Sequence, residues 1–314
     1  MELNLALIIC TRNRPEMLNN LLNSIQVSEL KPDSIIIVSS GVDISEIVET
    51  HRKSLKILHH HTHRIGQSNQ KMIAIQMLNP TIDWVFFLDD DLELIPSTLT
   101  RALQRIELIR QENVSGIGTN LTHKSQNFQH SKRRKFQSQT RIGRIKPSGR
   151  ALKYAFSEFT YTEWLNGASI WRKDCLNQYM LPVLDSKYAA YEDVIFSSNV
   201  ARTSKLIYDP SIILLEQLPH SRVTINFKQL KYITIWTGYL VCSRPSMRIY
   251  SYKMLTVARF IFFILPLRRK YKFNLSKMIL CLRFLLNILR LPRDKVKSKI
   301  LLIAMLNSEN ENIN

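Results

Sequence analysis

Trp84-Val85-Phe86-Phe87-Leu88-Asp89-Asp90-Asp91 is the stretch on which the reading of this chain turns. Five apolar residues run directly into three aspartates. The run is short for a helix, and its aromatics and valine suit a strand buried on both faces. In open α/β sheets, ligands bind outside the carboxyl ends of such strands. Three neighbouring carboxylates repel one another and call for a counter-charge, either a divalent cation or partial protonation. Oxygen donors select Mg2+ or Mn2+. The competing reading is a solvated acidic turn that opens a helix, since acids favour helix N-termini.

Upstream, Leu5–Cys10 is apolar and gives way abruptly to Thr11-Arg12-Asn13-Arg14-Pro15. Pro15 suits a first helical turn. Leu18, Leu21, Leu22 and Ile25 then fall at i, i+3, i+4 and i+7, one buried helical face. Ile35–Val38 is the second apolar run, ending in Ser39-Ser40-Gly41-Val42-Asp43. Ile44–His51 reads as a short helix, Leu55–Leu58 as a third strand, and Gln67–Leu78, carrying Lys71, as a helix behind Gly66. After the acidic run, Pro96 opens a helix whose Leu99, Ala102, Leu103 and Ile106 share a face. This alternation predicts an α/β fold with a mostly parallel sheet flanked by helices. One sheet end then gathers Thr11–Arg14, Ser39–Asp43, Lys71 and Asp89–Asp91 around a crevice.

Further along, Gly116–Leu121 reads as a strand. His123–Arg150 is polar and basic around Lys132-Arg133-Arg134-Lys135, a surface loop or a flap over an anionic ligand. Trp164–Ala168 leads into a strand at Ile170–Arg172, and Tyr191-Glu192-Asp193 precedes a helix at Val194–Ala201. Leu206–Tyr208 and Ile212–Leu215 read as two short strands around a turn at Asp209-Pro210. His59-His60-His61 with His63 invites a metal reading. Adjacent histidines on a strand end point to opposite faces, however, so few would share one ion, and they read as surface residues.

The chain has 314 residues and a net charge of +19, which implies an anionic partner. Its length fits an α/β domain of about 200–250 residues plus an appendage. Cys10, Cys175, Cys242 and Cys281 lie far apart with no CxxC, which fits reduced thiols in a cytosol. The first residues lack a basic segment before their apolar run, so they read as a strand and not a signal peptide. From about Arg244 the composition shifts. Met254–Leu267 is apolar except for Arg259 and too short for the roughly 20 residues of a spanning helix. Arg268-Arg269-Lys270 follows, then apolar Met278–Leu291 with Arg283 and Arg290 seven apart. Asp294 is the one acid between Arg244 and Lys299. Basic amphipathic helices of this kind suit an anionic membrane surface, with a packed helical subdomain or a dimer interface as the alternative. No nucleic-acid motif accompanies the charge, and the apolar content speaks against a phosphate-tracking tail.

Together these residues resemble the family 2 glycosyltransferases, nucleotide-sugar enzymes of GT-A fold, over roughly Leu3 to Arg244. Leu7–Pro15 looks like the family's first strand and nucleotide loop, and Ser34–Asp43 like its second strand and turn. Gly66-Gln67-Ser68-Asn69-Gln70-Lys71-Met72 looks like its glycine-to-arginine helix opening. The acidic run looks like its DxD strand, Trp164–Arg172 like its acceptor segment, and Tyr191-Glu192-Asp193 like its ED motif. The resemblance implies a domain at 1–243 and a basic helical region at 244–314. It implies nucleotide contacts from Thr11, Asn13, Arg14, Ser39, Asp43, Lys71, Asp89 and Asp90. Mn2+ or Mg2+ would lie on Asp91 and Asp89, and the acceptor against Trp164 and Asn166. Asp193 would be the base, with Glu192 beside it. The chain departs from the pattern at Ser39 or Ser40, where the family has an aspartate, and at Lys71, where it has arginine. It departs again at Glu216, with His220 nearby, where many members have histidine.

The expectation is an inverting, metal-dependent glycosyltransferase in the cytoplasm, peripheral on the inner face of the cell membrane. Its substrates would be a nucleotide sugar and a glycan or lipid-linked acceptor in cell-surface polysaccharide synthesis. A homo-oligomer is compatible with the sequence, and nucleic acid is not the expected partner. The alternative is a catalytically degenerate relative that binds a membrane or another protein.

Overall fold

The structure is a computed structural model and describes residues 3–64, 66–123, 143–152, 158–179, 190–217, 226–270 and 275–311. The core of the basic stretch at 132–135, and His220, lie outside these residues. The chain packs as two compact units. The first is Met1–Arg144, Lys153–Val183 and Asp193–Val223; the second is Ile145–Leu152, Leu184–Glu192 and Thr224–Asn314.

The first unit is built on one mixed sheet. Its strands are β1 (Leu5–Arg12), β2 (Ser34–Ser40), β3 (Ile57–His61), β4 (Trp84–Asp89), β5 (Leu92–Leu94), β6 (Val114–His123), β7 (Thr160–Thr162), β8 (Ser169–Arg172) and β9 (Lys205–Glu216). The order is β3-β2-β1-β4-β8-β6-β9-β5, with β7 on β9. Strands β3, β2, β1 and β4 run parallel, as do β6 and β9, and β8 is antiparallel to both of its neighbours. The helices are α1 (Pro15–Gln26), α2 (Ser45–Arg52), α3 (Gln67–Gln76), α4 (Thr98–Leu108) and α5 (Glu192–Val200).

Strand alternation explains the two faces. Leu5, Leu7 and Ile9 of β1 point with Phe86 and Leu88 into one apolar cluster, closed by Leu18, Leu21, Leu22 and Ile25 of α1 and by Leu99 and Ile106 of α4. Ala6, Ile8 and Cys10 point with Val85 and Phe87 into the other, closed by Ala74 of α3 and Phe196 of α5. Both faces of β1 and β4 are dry, which is why their sequences read as unbroken apolar runs. Each fully buried Leu, Ile or Phe contributes about 1.5–3 kcal/mol of transfer free energy. At Gly116 of β6 the Trp171 ring lies where a side chain would stand, its nearest atom 2.6 Å from the Cβ position.

Three segments differ from expectation. The third strand begins at Ile57, two residues late, and runs on through His59, His60 and His61. A short strand, β5, follows the acidic residues and pairs with the end of β9, so the acidic run opens no helix; α4 starts at Thr98. Asp209-Pro210 makes no turn. β9 runs through both residues, and the ladder to β6 shifts register between Gly118 and Asn120. Proline lacks the N–H that a regular ladder needs, and a bulge absorbs it. Asp209 is buried, takes the Arg105 guanidinium at 2.5 Å, and accepts from the Ser211 N–H and hydroxyl.

The second unit holds α6 (Phe227–Cys242), α7 (Ile249–Lys270), α8 (Leu275–Leu289) and α9 (Lys295–Glu311). Asn226 and Gln229 form a reciprocal capping box at the start of α6. Gly238 of α6 lets Tyr252 of α7 and Leu302 of α9 approach its backbone. Phe227, Phe260 and Phe284 form an aromatic cluster in which Phe260 and Phe284 stack at 5.7 Å. Not all the basic residues face outward. The Lys253 ammonium donates to the Leu289 and Leu291 carbonyls, and Lys295 to those of Arg244, Pro245 and Met247.

His51 of α2 is buried, with Nε2 3.0 Å from Asn19 and Nδ1 3.2 Å from Gln26 of α1. A neutral ring carries one N–H, so one of these amides turns its NH2 toward it. Burial holds His51 below the ordinary 6.5, and His59 is held down in the same way. As pH falls below about 6.5, the unfolded chain takes up protons that the folded chain refuses, so stability is lost with acid. Urea titrations at about pH 7.5 and about pH 5.5 should therefore show a smaller acid-induced loss for His51→Gln than for the parent.

Candidate active site

The three aspartates leave β4 at its carboxyl end, held by side chains from β1, from the turn after it and from α3. Asp90 is buried and accepts the Thr11 hydroxyl at 2.7 Å and the Arg14 guanidinium at 3.0 Å. The same Arg14 nitrogen reaches Asp91 at 3.1 Å. Asp89 accepts the Gln67 side-chain amide at 2.6 Å. Lys71, buried one turn into α3, places its charge near Asp89 and lies over the Phe87 ring at 5.2 Å. Burial pushes the Asp89 and Asp90 carboxyls above the usual range; Lys71 opposes this at Asp89, and Thr11 and Arg14 oppose it at Asp90. Two cationic side chains therefore supply much of the counter-charge that the sequence demanded.

The other expected residues divide between contact and support. Asn13 has φ 57 and accepts the Val42 N–H at 2.9 Å, tying the turn after β1 to the turn after β2. Gly41, at φ 85, is required there, because a Cβ would stand 2.0 Å from the Asn13 oxygen. Asp43 is exposed and accepts the Ser45 hydroxyl and N–H, which hold its carboxyl below the usual range. Ser39 is buried beneath His59 and His61. Glu216 closes β9 in register with Leu92, one residue after the acidic turn.

In the segment expected to meet an acceptor, Trp164 and Asn166 are half-buried and Leu165 is buried. The Ser197 hydroxyl of α5 accepts the Leu165 N–H and reaches the carbonyls of Leu165 and Asp193. Gly167 stands beside Asp89, with its Cβ position 3.5 Å from Oδ2. A continuous path thus joins the acidic turn, the 164–167 segment and the start of α5, where Asp193 is half-buried and accepts the Val194 N–H at 2.8 Å. Glu192 is buried.

Three glutamines escaped the sequence reading. Gln67 holds Asp89. Gln70, buried, donates to the Thr11 and Val38 carbonyls and the Ser40 hydroxyl, fastening the ends of β1 and β2. Gln217 donates to the Met17 and Leu92 carbonyls, and its own N–H reaches the Asp91 carbonyl. An amide that binds backbone leaves no spacing signature; the placement of Gln67 and Gln70 on a helix opening was the only available hint.

Among the described residues, no three carboxylate, histidine or cysteine side chains converge to hold a cation by themselves. Asp89 and Asp91 still present hard oxygens at one strand end, and a glycine leaves room beside Asp89. That suits Mg2+ or Mn2+, which bind through one or two carboxylates and complete their shells with substrate phosphates and water. A hollow of about 530 Å3, lined by Leu3, Ile82, Trp84, Val114, Arg172 and Asn177, lies at the opposite end of β4 and takes no part in this arrangement.

A family model described as Glycosyl transferase family 2 matches residues 6–163. No curated protein matches the chain. Among solved structures, S. aureus TarS 1-349 superposes with a TM-score of 0.60 at 13% identity, covering 99% of this chain and 92% of that one. Mannosyltransferase PcManGT from Pyrobaculum calidifontis, in complex with GDP-Man and Mn2+, superposes at 0.57 and 12%, covering 99% and 88%. GalNAc-T7 with UDP, GalNAc and Mn2+ superposes at 0.54 and 12%, covering 77% and 50%. At these identities the likeness is one of fold.

Removing the Arg14 charge leaves a buried carboxylate without its cation. Arg14→Met should cost about 1–3 kcal/mol in urea unfolding, discounted because Arg14 is itself half-exposed. Asp90→Asn in the same background should recover part of that loss.

Proposed function

The chain belongs to glycosyl transferase family 2, and on that premise we propose which residues carry the transfer and where it takes place. The enzyme transfers a sugar from a nucleotide sugar. In the proposed reading the acceptor is a hydroxyl of a glycan or lipid-linked precursor of cell-surface polysaccharide, and the anomeric carbon inverts. The supporting observation is the path from Asp89 past Gly167 and Leu165 to the Ser197 hydroxyl and the Asp193 backbone carbonyl, at the helix start where the Asp193 carboxylate is half-buried.

The donor's pyrophosphate lies at the carboxyl ends of β1 and β4. Mn2+ or Mg2+ held by Asp91 and Asp89 would neutralise the charge of the departing nucleoside diphosphate. Thr11 and Arg14 fix Asp90, so this turn is shaped before substrate arrives. Lys71 adds positive charge within the same wall, and Asn13, Ser39 and Asp43 border the nucleotide side. Trp164 offers a flat apolar wall to a sugar ring and Asn166 a hydrogen-bonding edge. Asp193 takes the acceptor hydroxyl proton as that oxygen attacks the anomeric carbon from the face opposite the leaving group. Donors named with solved relatives, UDP-GlcNAc for TarS and GDP-Man for PcManGT, support the donor class. In turnover assays over a panel of nucleotide sugars with Mn2+, Asp193→Asn should lower kcat by about 10²–10⁴-fold while nucleotide binding persists. Unchanged turnover would remove Asp193 from the role of base.

The proposed location is an anionic membrane surface. Among the described residues, no helix is long and apolar enough to cross a membrane. α8 buries Cys281, Phe284 and Ile288 on one side, while Ile279, Leu282, Leu286 and Leu289 on the other are between 37% and 48% exposed. Their spacing is i, i+3, i+7 and i+10, a single stripe, with exposed Arg283 and Arg290 flanking it. An anionic lipid surface satisfies both the stripe and the charges. Sedimentation with phosphatidylglycerol-containing vesicles should carry the protein down, less so at high salt. Leu282→Glu with Leu286→Glu should leave it in the supernatant, and equal binding by this variant would refute the assignment.

A further inference from the structure

The alternation that separates His60 from its neighbours brings His59 and His61 together. On β3 the register sets His59 beside Ile37, His60 beside Val38 and His61 beside Ser39. His59 and His61 therefore point to one side of the sheet and His60 to the other. The Ser39 hydroxyl, buried at 1% exposure, lies 2.8 Å from His59 Nε2 and 3.1 Å from His61 Nδ1. A hydroxyl has one proton and satisfies only one of two acceptor nitrogens, so the other ring must direct its own N–H at the oxygen. Two imidazole nitrogens on the terminal strand of the sheet thus converge on a single buried hydroxyl. The His63 ring stands edge-on to His61 at 5.8 Å.

We propose that His59 and His61 form a two-nitrogen chelate for a borderline transition cation of the Zn2+, Cu2+ or Ni2+ class, distinct from the oxygen donors of the acidic turn. Imidazole favours these ions, whereas Mg2+ prefers carboxylates and water. The rings lie two residues apart on one strand face, so the ion needs no backbone movement. Rotation of the Ser39 side chain opens the space between the nitrogens. Water fills the remaining coordination positions at this terminal strand, which makes the site open and its affinity modest. The sequence pattern alone argues against four histidines on one ion; the strand register selects the pair that converges.

This inference does not depend on sugar transfer, so its test reads metal alone. The full-length chain, free of any affinity tag, is titrated with Zn2+ by calorimetry and with Cu2+ by electron paramagnetic resonance. The expected result is a single Cu2+ per chain with hyperfine structure from two imidazole nitrogens, undisturbed by excess Mg2+. His59→Gln and His61→Gln should each weaken Zn2+ binding by at least the roughly 10–100-fold that loss of an outer-shell partner costs. His60→Gln, altering the ring on the other side of the strand, should leave binding unchanged, and Ser39→Ala should retain it. Melting curves establish that each variant is folded. Equal losses in the His60 and His59 variants, or a Cu2+ spectrum without two nitrogens, would overturn the proposal.

Discussion

A buried carboxylate next to two others has to be neutralised, and much of this protein's first unit is arranged to do so. Asp90 sits at 5% exposure with both oxygens engaged, one by Thr11 at the end of β1 and one by Arg14 just before α1. Arg14 is held where it can reach by the chain reversal at Asn13, whose left-handed backbone and side-chain bond to Val42 depend in turn on a glycine at position 41. The turns after β1 and β2 and the end of β4 form one interlocked assembly. Disturbing any of them exposes an unpaired charge to a medium that cannot solvate it.

Around that assembly the supporting groups are neutral amides and hydroxyls. Gln70 fastens β1 to β2, Gln217 fastens the end of β9 to the acidic turn, and Ser197 fastens the 164–167 segment to α5. Such groups bridge backbone carbonyls without adding a charge to a site already crowded with it. In the proposed reading, a leaving group with its own concentrated charge would meet a wall shaped in advance, in which little reorganisation is needed during transfer.

The second unit follows a different economy. Its core is aromatic, with Phe227, Phe260 and Phe284 in mutual contact, and two of its lysines are spent on helix ends. What remains outward on α8 is a leucine-rich stripe beside two arginines. Sorting the basic residues into those that cap carbonyls and those that face solvent requires coordinates. Composition counts them alike.

The parallel strands and the helices between them were legible from the sequence because burial on both faces leaves unbroken apolar runs, and one-sided burial leaves a helical period. The acidic turn and the family resemblance followed from those runs. Short β5 was not legible, since three residues carry too little period, and Asp209-Pro210 misled because a proline that elsewhere breaks a strand is here taken up by a bulge. The identity of the counter-charge was decided only by tertiary structure. Arg14 lies 76 residues from Asp90, and Gln217 lies 125 from Leu92. Local patterning is written in near neighbours, whereas the partners of a buried charge are chosen by which distant strand ends the sheet brings side by side.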